Sequence, residues 1–289
     1  MKPNRRDFLK ASSLGAATFL LAQPRVFSAP AWRFSACDWS LGCGSDPGAM
    51  EVAKAVGLQG VEISAGSPDQ DDLQIADPAF RQRYKDLVAK TGVVVSSVAM
   101  GLLNNAPLAT DPRGPKWLEQ VIAATRDLDA KVILLAFFGK GDLREKGVLK
   151  KKEVDAVVDR VKAVAPAAEK AGVILGLENT LSGKDNLAIL DRIQSKAVGI
   201  YYDVRNSTDN GYDVPKEIVE LGNRICQIHF KDGADYLGEG KVKLPPIVDA
   251  VRKNGYAGWL VLESSIKNND REASFKKNIA TLNKVFETA

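Results

Sequence analysis

The chain has 289 residues, 45% hydrophobic and 26% charged, with a formal net charge of +4. That composition supports a large apolar core and excludes a collagen repeat, a low-complexity disordered chain and a disulfide-stapled miniprotein. No apolar run approaches the ~20 residues that span a bilayer, and three cysteines (Cys37, Cys43, Cys226) make no disulfide framework.

Residues 1–31 read as an export signal rather than as part of the fold. A basic start (Lys2, Arg5, Arg6) precedes an apolar run over 11–22, and Ala29-Pro30-Ala31 supplies a cleavage pattern. The string Asn4-Arg5-Arg6-Asp7-Phe8-Leu9-Lys10 resembles a twin-arginine (Tat) signal, departing at Asn4, where Ser or Thr is usual. The expected location is therefore periplasmic or extracellular, with no membrane attachment of the mature form. The signal holds five basic residues (Lys2, Arg5, Arg6, Lys10, Arg25) and one acid (Asp7), which accounts for the whole net charge. A neutral mature chain gives no electrostatic reason to bind nucleic acid.

From residue 32 onward, β-rich runs alternate with longer helical patterns. Strands are expected at 32–41, 60–64, 93–99, 131–137, 173–178, 198–203, 225–230 and 258–263. Helices are expected at 47–56, 78–91, 115–128, 150–171, 184–193, 215–221, 245–253 and 270–288. The 150–171 segment shows the pattern well: Val154, Val157, Val158, Val161 and Ala165 form one apolar stripe, and Gly172 stops the helix. Eight such units match the usual ~250-residue size of a (β/α)8 TIM barrel. A doubly wound open sheet is the alternative, but no G-x-G-x-x-G phosphate loop occurs. Residues 32–289 read as one domain, with 102–114 as the longest irregular stretch and a candidate lid.

In such a barrel, chemistry gathers at the C-terminal ends of strands. Those ends carry Glu178, Asp203, His229 and Glu263, each after an apolar run where an unpaired charge is costly. His229 is the single histidine of the chain. Three carboxylates and one imidazole in register with the repeat suit a divalent cation. The donor set favours Mn²⁺, Co²⁺ or Mg²⁺, with Zn²⁺ as a further option. Glu62 ends the second strand, as a sugar-hydroxyl ligand or as a buried structural carboxylate. Lys231 is placed to steady an enolate or to pair with Asp232. Trp39, Phe137 and Phe138 are candidates for sugar stacking or for core packing.

Several strings together resemble the sugar phosphate isomerase/epimerase family of the xylose isomerase-like TIM-barrel superfamily. They are Gly60-Val61-Glu62-Ile63, Leu177-Glu178-Asn179, Tyr202-Asp203-Val204-Arg205-Asn206, Ile228-His229-Phe230-Lys231-Asp232, Leu237-Gly238-Glu239-Gly240 and Val261-Leu262-Glu263-Ser264. The resemblance implies one divalent metal bound by Glu178, Asp203, His229 and Glu263. It also implies that Glu178 and Glu263 exchange protons with a sugar beside its carbonyl, through an enediolate. Glu62, Asn206 and Lys231 are then the substrate-binding candidates. Two departures stand out: ketose 3-epimerases of the family usually have histidine at the position of Asn206 and arginine at that of Asp235. Endonuclease IV, a relative with a multi-histidine zinc cluster, is excluded by the lone histidine.

The expected function is a metal-dependent sugar isomerase or epimerase acting on a non-phosphorylated sugar or glycoside. A lyase or hydrolase of keto-glycosides and a non-catalytic exported sugar-binding protein are the alternatives. The expected partner is a small sugar, and the sequence leaves room for a homo-oligomer. If the twin-arginine reading is right, Arg5→Lys with Arg6→Lys retains unprocessed precursor in the cytoplasm, read by immunoblot of cell fractions. Normal processing of the double variant contradicts it.

Overall fold

The computed structural model describes residues 32–288; the export-signal reading of 1–31 lies outside the described residues. Eight parallel strands close into a barrel in sequential order: β1 Arg33–Cys37, β2 Gly60–Ser64, β3 Val94–Met100, β4 Val132–Ala136, β5 Ile174–Glu178, β6 Val198–Asp203, β7 Ile225–Phe230 and β8 Trp259–Leu262. The expected (β/α)8 TIM barrel is the fold found. Its strands read as near-continuous apolar runs because a parallel barrel buries both faces of each strand.

Amphipathic helices cover the outside of the barrel. The longest, Lys151–Ala171, buries Val154, Val157, Val158, Val161 and Ala165 against the strands and ends at Gly172, whose φ of 70° needs no Cβ. Three local features depart from the sequence reading. The first strand stops at Cys37, four residues early, where the Leu41 amide turns back to the Cys37 carbonyl. A short helix, Val204–Asp209, follows β6 at once, because the Asp203 side chain caps it by accepting from the Asn206 amide at 2.7 Å. A small exposed hairpin pairs Arg144 with Leu149 and Glu145 with Val148 around Lys146-Gly147, both at positive φ.

Side chains alternate in and out along each strand, so residues two apart share a face. The inward set forms its own apolar cluster, with Cys37, Ala99, Val132, Leu134, Ala136, Tyr201 and Val261. Glu178, Asp203, His229 and Glu263 each lie two residues beyond an inward position, and so reach the barrel mouth. Below them the barrel narrows. A Cβ on Gly199 would lie 2.9 Å from the Arg224 carbonyl oxygen, a backbone atom that has no rotamer escape. Gly199→Ala is therefore expected to destabilise the fold by about 1–3 kcal/mol in urea unfolding. An unchanged midpoint contradicts that packing.

Candidate metal centre

Glu178 and Asp203 are the last residues of β5 and β6, His229 is the penultimate residue of β7, and Glu263 follows β8 directly. Register brings them level: Asp203 pairs with His229 across β6 and β7, and the Glu263 amide donates to the Phe230 carbonyl. His229 Nδ1 lies 2.9 Å from Glu178 Oε1, 3.5 Å from Glu263 Oε2 and 3.8 Å from Asp203 Oδ2. One donor atom from each of the four residues falls within 4.8 Å of all the others.

The electrostatics of this cluster are those of an anionic hole. Burial pushes the Glu178 carboxyl up, to about 7, although the His229 imidazole opposes the shift. Asp203 is also raised by burial, with Lys231 pulling the other way. Glu263 goes down: burial would raise it, but His229 and Lys231 outweigh that. Burial alone would lower the His229 pKa, yet the neighbouring acids Cys37, Glu178 and Glu62 hold it well above the usual histidine value. Because burial also keeps the Cys37 thiol protonated, the carboxylates carry that effect at neutral pH. Lys231 Nζ sits 2.6 Å from Glu263 Oε2 and 3.0 Å from Asp203 Oδ2. Even so, the buried Asp203 Oδ2 accepts no hydrogen bond of good geometry. An orphaned carboxylate oxygen beside two further carboxylates and an imidazole fits a divalent cation held by three oxygens and one nitrogen.

The cluster opens into a cavity of about 630 Å³ whose lining includes Glu178, Glu263, Lys231 and Asn206. Trp39, 39% exposed, also lines it and donates its indole N–H to Glu263 Oε1 at 3.2 Å. Phe138 joins the lining, whereas Phe137 is buried in the core. Ser45, Ser64, Ser67, Asn104 and Asn105 add a polar wall to the lining. Asp38 supports that wall: its buried carboxylate accepts from the Ser45 amide and from both the amide and hydroxyl of Ser64. The 102–114 stretch, expected as a lid, is instead a packed wall, with Leu103 and Leu108 buried and the Leu108 and Asp111 carbonyls held by Arg160.

Of the two places expected for Glu62, the structure gives the buried one. It is fully buried, absent from the cavity lining, and touches His229 from the far side, with Oε1 2.9 Å from Nε2. That placement matches the reading as a buried structural carboxylate rather than the one as a sugar-hydroxyl ligand. Tyr201, Ser97 and Gln227 surround it and were not singled out from sequence. Strand alternation was the available signal, since Tyr201 and Gln227 stand two residues before Asp203 and His229. No periodicity marks Asn104 or Asn105, which sit on an irregular turn after β3.

These observations define a parallel (β/α)8 barrel with a carboxylate–imidazole cluster at its C-terminal mouth. The sequence pattern of the xylose isomerase-like TIM barrel family matches residues 50–285, and the chain belongs to that family. It is 28% identical over 206 residues to the 3-oxo-isoapionate decarboxylase of Pectobacterium atrosepticum, covering 70% of this chain and 67% of that protein. It is 25% identical over 220 residues to the L-ribulose 3-epimerase of Mesorhizobium japonicum, covering 73% and 72%. A solved L-ribulose 3-epimerase structure superposes with a TM-score of 0.73 at 22% identity, over 89% of this chain and 95% of the other.

The cluster geometry sets an expected stoichiometry. Elemental analysis of the purified protein after dialysis against Mn²⁺ should give one ion per chain, and His229→Ala should lose most of it. Two or three tightly held ions, or full retention in the variant, contradict a four-residue site.

Proposed function

We propose that this protein is a divalent-metal-dependent sugar epimerase or isomerase that moves a proton on the carbon beside a sugar carbonyl. The observation that carries the reading is the placement of Glu178 and Glu263. They come from β5 and β8, on either side of the strands bearing Asp203 and His229, and both face one cavity. Carboxylates approaching from two sides are what removal and return of a proton on opposite faces requires. A cation held by Glu178, Asp203, His229 and Glu263 would supply Lewis-acid polarisation of the carbonyl.

The remaining roles follow from position. Lys231, held against Asp203 and Glu263, places a fixed positive charge beside the site where oxygen charge develops. Asn206 offers amide groups to sugar hydroxyls, and Trp39 and Phe138 give the apolar flank that a sugar face stacks on. Among the described residues lining the cavity, Lys231 is the one cation, and two carboxylates already engage it. That leaves no unengaged cation in the lining to pair with a phosphate, which favours a non-phosphorylated sugar or glycoside as the substrate. Both named relatives point the same way, since L-ribulose and 3-oxo-isoapionate carry no phosphate in their names. The decarboxylase relative supports a second reading, a lyase on a 3-oxo sugar, because loss of carbon dioxide and loss of a proton leave the same negative charge beside a carbonyl. An exported enzyme, as the twin-arginine string suggests, also meets sugars rather than their cytoplasmic phosphates.

Glu178→Gln and Glu263→Gln test the proposal. Glutamine keeps the volume and a neutral oxygen donor but accepts no proton at neutral pH. At saturating Mn²⁺, against free ketoses and keto-glycosides, each change should lower kcat by about 10²–10⁴-fold. Solvent deuterium should enter the carbon beside the carbonyl with the wild-type protein alone. Near-wild-type kcat in both variants sinks the two-glutamate reading.

A further inference from the structure

The far side of His229 is a closed hydrogen-bond network. Glu62 pairs with Cys37 in the β1–β2 register, and both are fully buried. Glu62 Oε2 accepts from the Tyr201 hydroxyl at 2.6 Å and the Ser97 hydroxyl at 2.7 Å. Gln227 Nε2 donates to those same two oxygens, at 2.9 and 2.8 Å. An amide nitrogen only donates, so each hydroxyl spends its single proton on Glu62. The Cys37 thiol adds a weak donor to Oε1 at 3.4 Å. A side chain that receives protons from Tyr201, Ser97 and Cys37 behaves as a carboxylate, which accepts and cannot donate. The remaining contact, 2.9 Å to His229 Nε2, then requires that nitrogen to carry the proton.

We propose that Glu62 is a positioning residue that keeps a proton on His229 Nε2, so that Nδ1 is the nitrogen left for a cation among Glu178, Asp203 and Glu263. The proposal rests on the reading of that cluster as a metal site. A neutral imidazole has one N–H and one lone pair, and the partner of the first decides the direction of the second. Carboxylates set behind metal-binding histidines act in this way and also make the ring a better donor. Tyr201, Ser97 and Gln227 in turn hold Glu62, so three strands behind the site (β3, β6 and β7) fix one nitrogen in front of it. The network also decides between two cation positions. Cys37, Glu62 and His229 Nε2 form a second close group of donors. All three are sealed from solvent and absent from the cavity lining, whereas Glu178 and Glu263 of the first group face the cavity. The cation belongs on Nδ1.

Because His229 is the only histidine, its ring can be observed without assignment ambiguity. Two-bond ¹H–¹⁵N correlation on ¹⁵N-labelled wild-type protein, titrated with diamagnetic Zn²⁺, reports both ring nitrogens. The expected spectrum has the proton on Nε2 and a Zn²⁺-dependent shift of Nδ1. A proton on Nδ1 with a metal-shifted Nε2 overturns the proposal, and this arm needs no variant to fold. In parallel, Glu62→Gln should weaken Mn²⁺ binding by about 10–100-fold in equilibrium dialysis. Tyr201→Phe, which removes one of the donors that hold Glu62, should lose less. If wild type binds Mn²⁺ and Glu62→Gln binds it equally well, the positioning role fails while the metal site stands. If wild type binds neither Mn²⁺ nor Zn²⁺, the metal site itself is wrong.

Discussion

The site depends on one electrostatic constraint: three carboxylates converge on a single imidazole nitrogen at the barrel mouth. Two unit charges ~4 Å apart repel by about 4 kcal/mol at an effective dielectric near 20. Three ionised carboxylates at such spacing therefore cost on the order of 10 kcal/mol, comparable to the whole stability of a typical domain. Lys231 offsets part of that, and His229 another part while it is protonated. Lys231 pairs with Asp203 and Glu263, and Nδ1 of His229 has a single proton for three carboxylates, so Asp203 Oδ2 is left without a hydrogen bond. A divalent cation satisfies all four donors at once, which is why the charges fit a binding site better than a structural ion-pair network.

The barrel makes such convergence possible because period-2 alternation aims side chains from adjacent strands at one axis. It also separates two layers of function. The layer at the mouth faces the cavity, and the layer behind it, with Glu62, Tyr201, Ser97 and Gln227, is buried and fully hydrogen-bonded. Loops beyond the strands are fixed with similar economy. The Asp232 carboxylate accepts from the amides of Gly238, Gly240, Lys241 and Val242 and from Arg205. It thereby ties the loop after His229 to the helix after Asp203 and keeps Lys231, its neighbour, directed at the cluster.

Much of this was legible in the sequence. The expected strands 60–64, 198–203 and 225–230 are found with those bounds, because long apolar runs between helical patterns leave little choice. Glu178, Asp203, His229 and Glu263 were visible as polar residues in step with the repeat. Glu62 was seen with two readings, sugar ligand or buried structural carboxylate, and the sequence could not choose between them: the hydrogen-bond partners that bury it come from β3, β6 and β7, far away in the chain. The hairpin at Arg144–Leu149 escaped notice because two-residue exposed strands carry no periodic signal. The polar wall of Ser64, Ser67, Asn104 and Asn105 depends on how two loops fold toward each other, which no local pattern encodes.

The claim that this convergence of charge is a cation site has a direct test. Crystals of the mature protein soaked in Mn²⁺ and measured near the manganese absorption edge should show one anomalous peak bonded to Glu178, Asp203, His229 Nδ1 and Glu263. A peak bonded instead to Cys37 and His229 Nε2, or a cluster that stays empty at saturating Mn²⁺, contradicts the account.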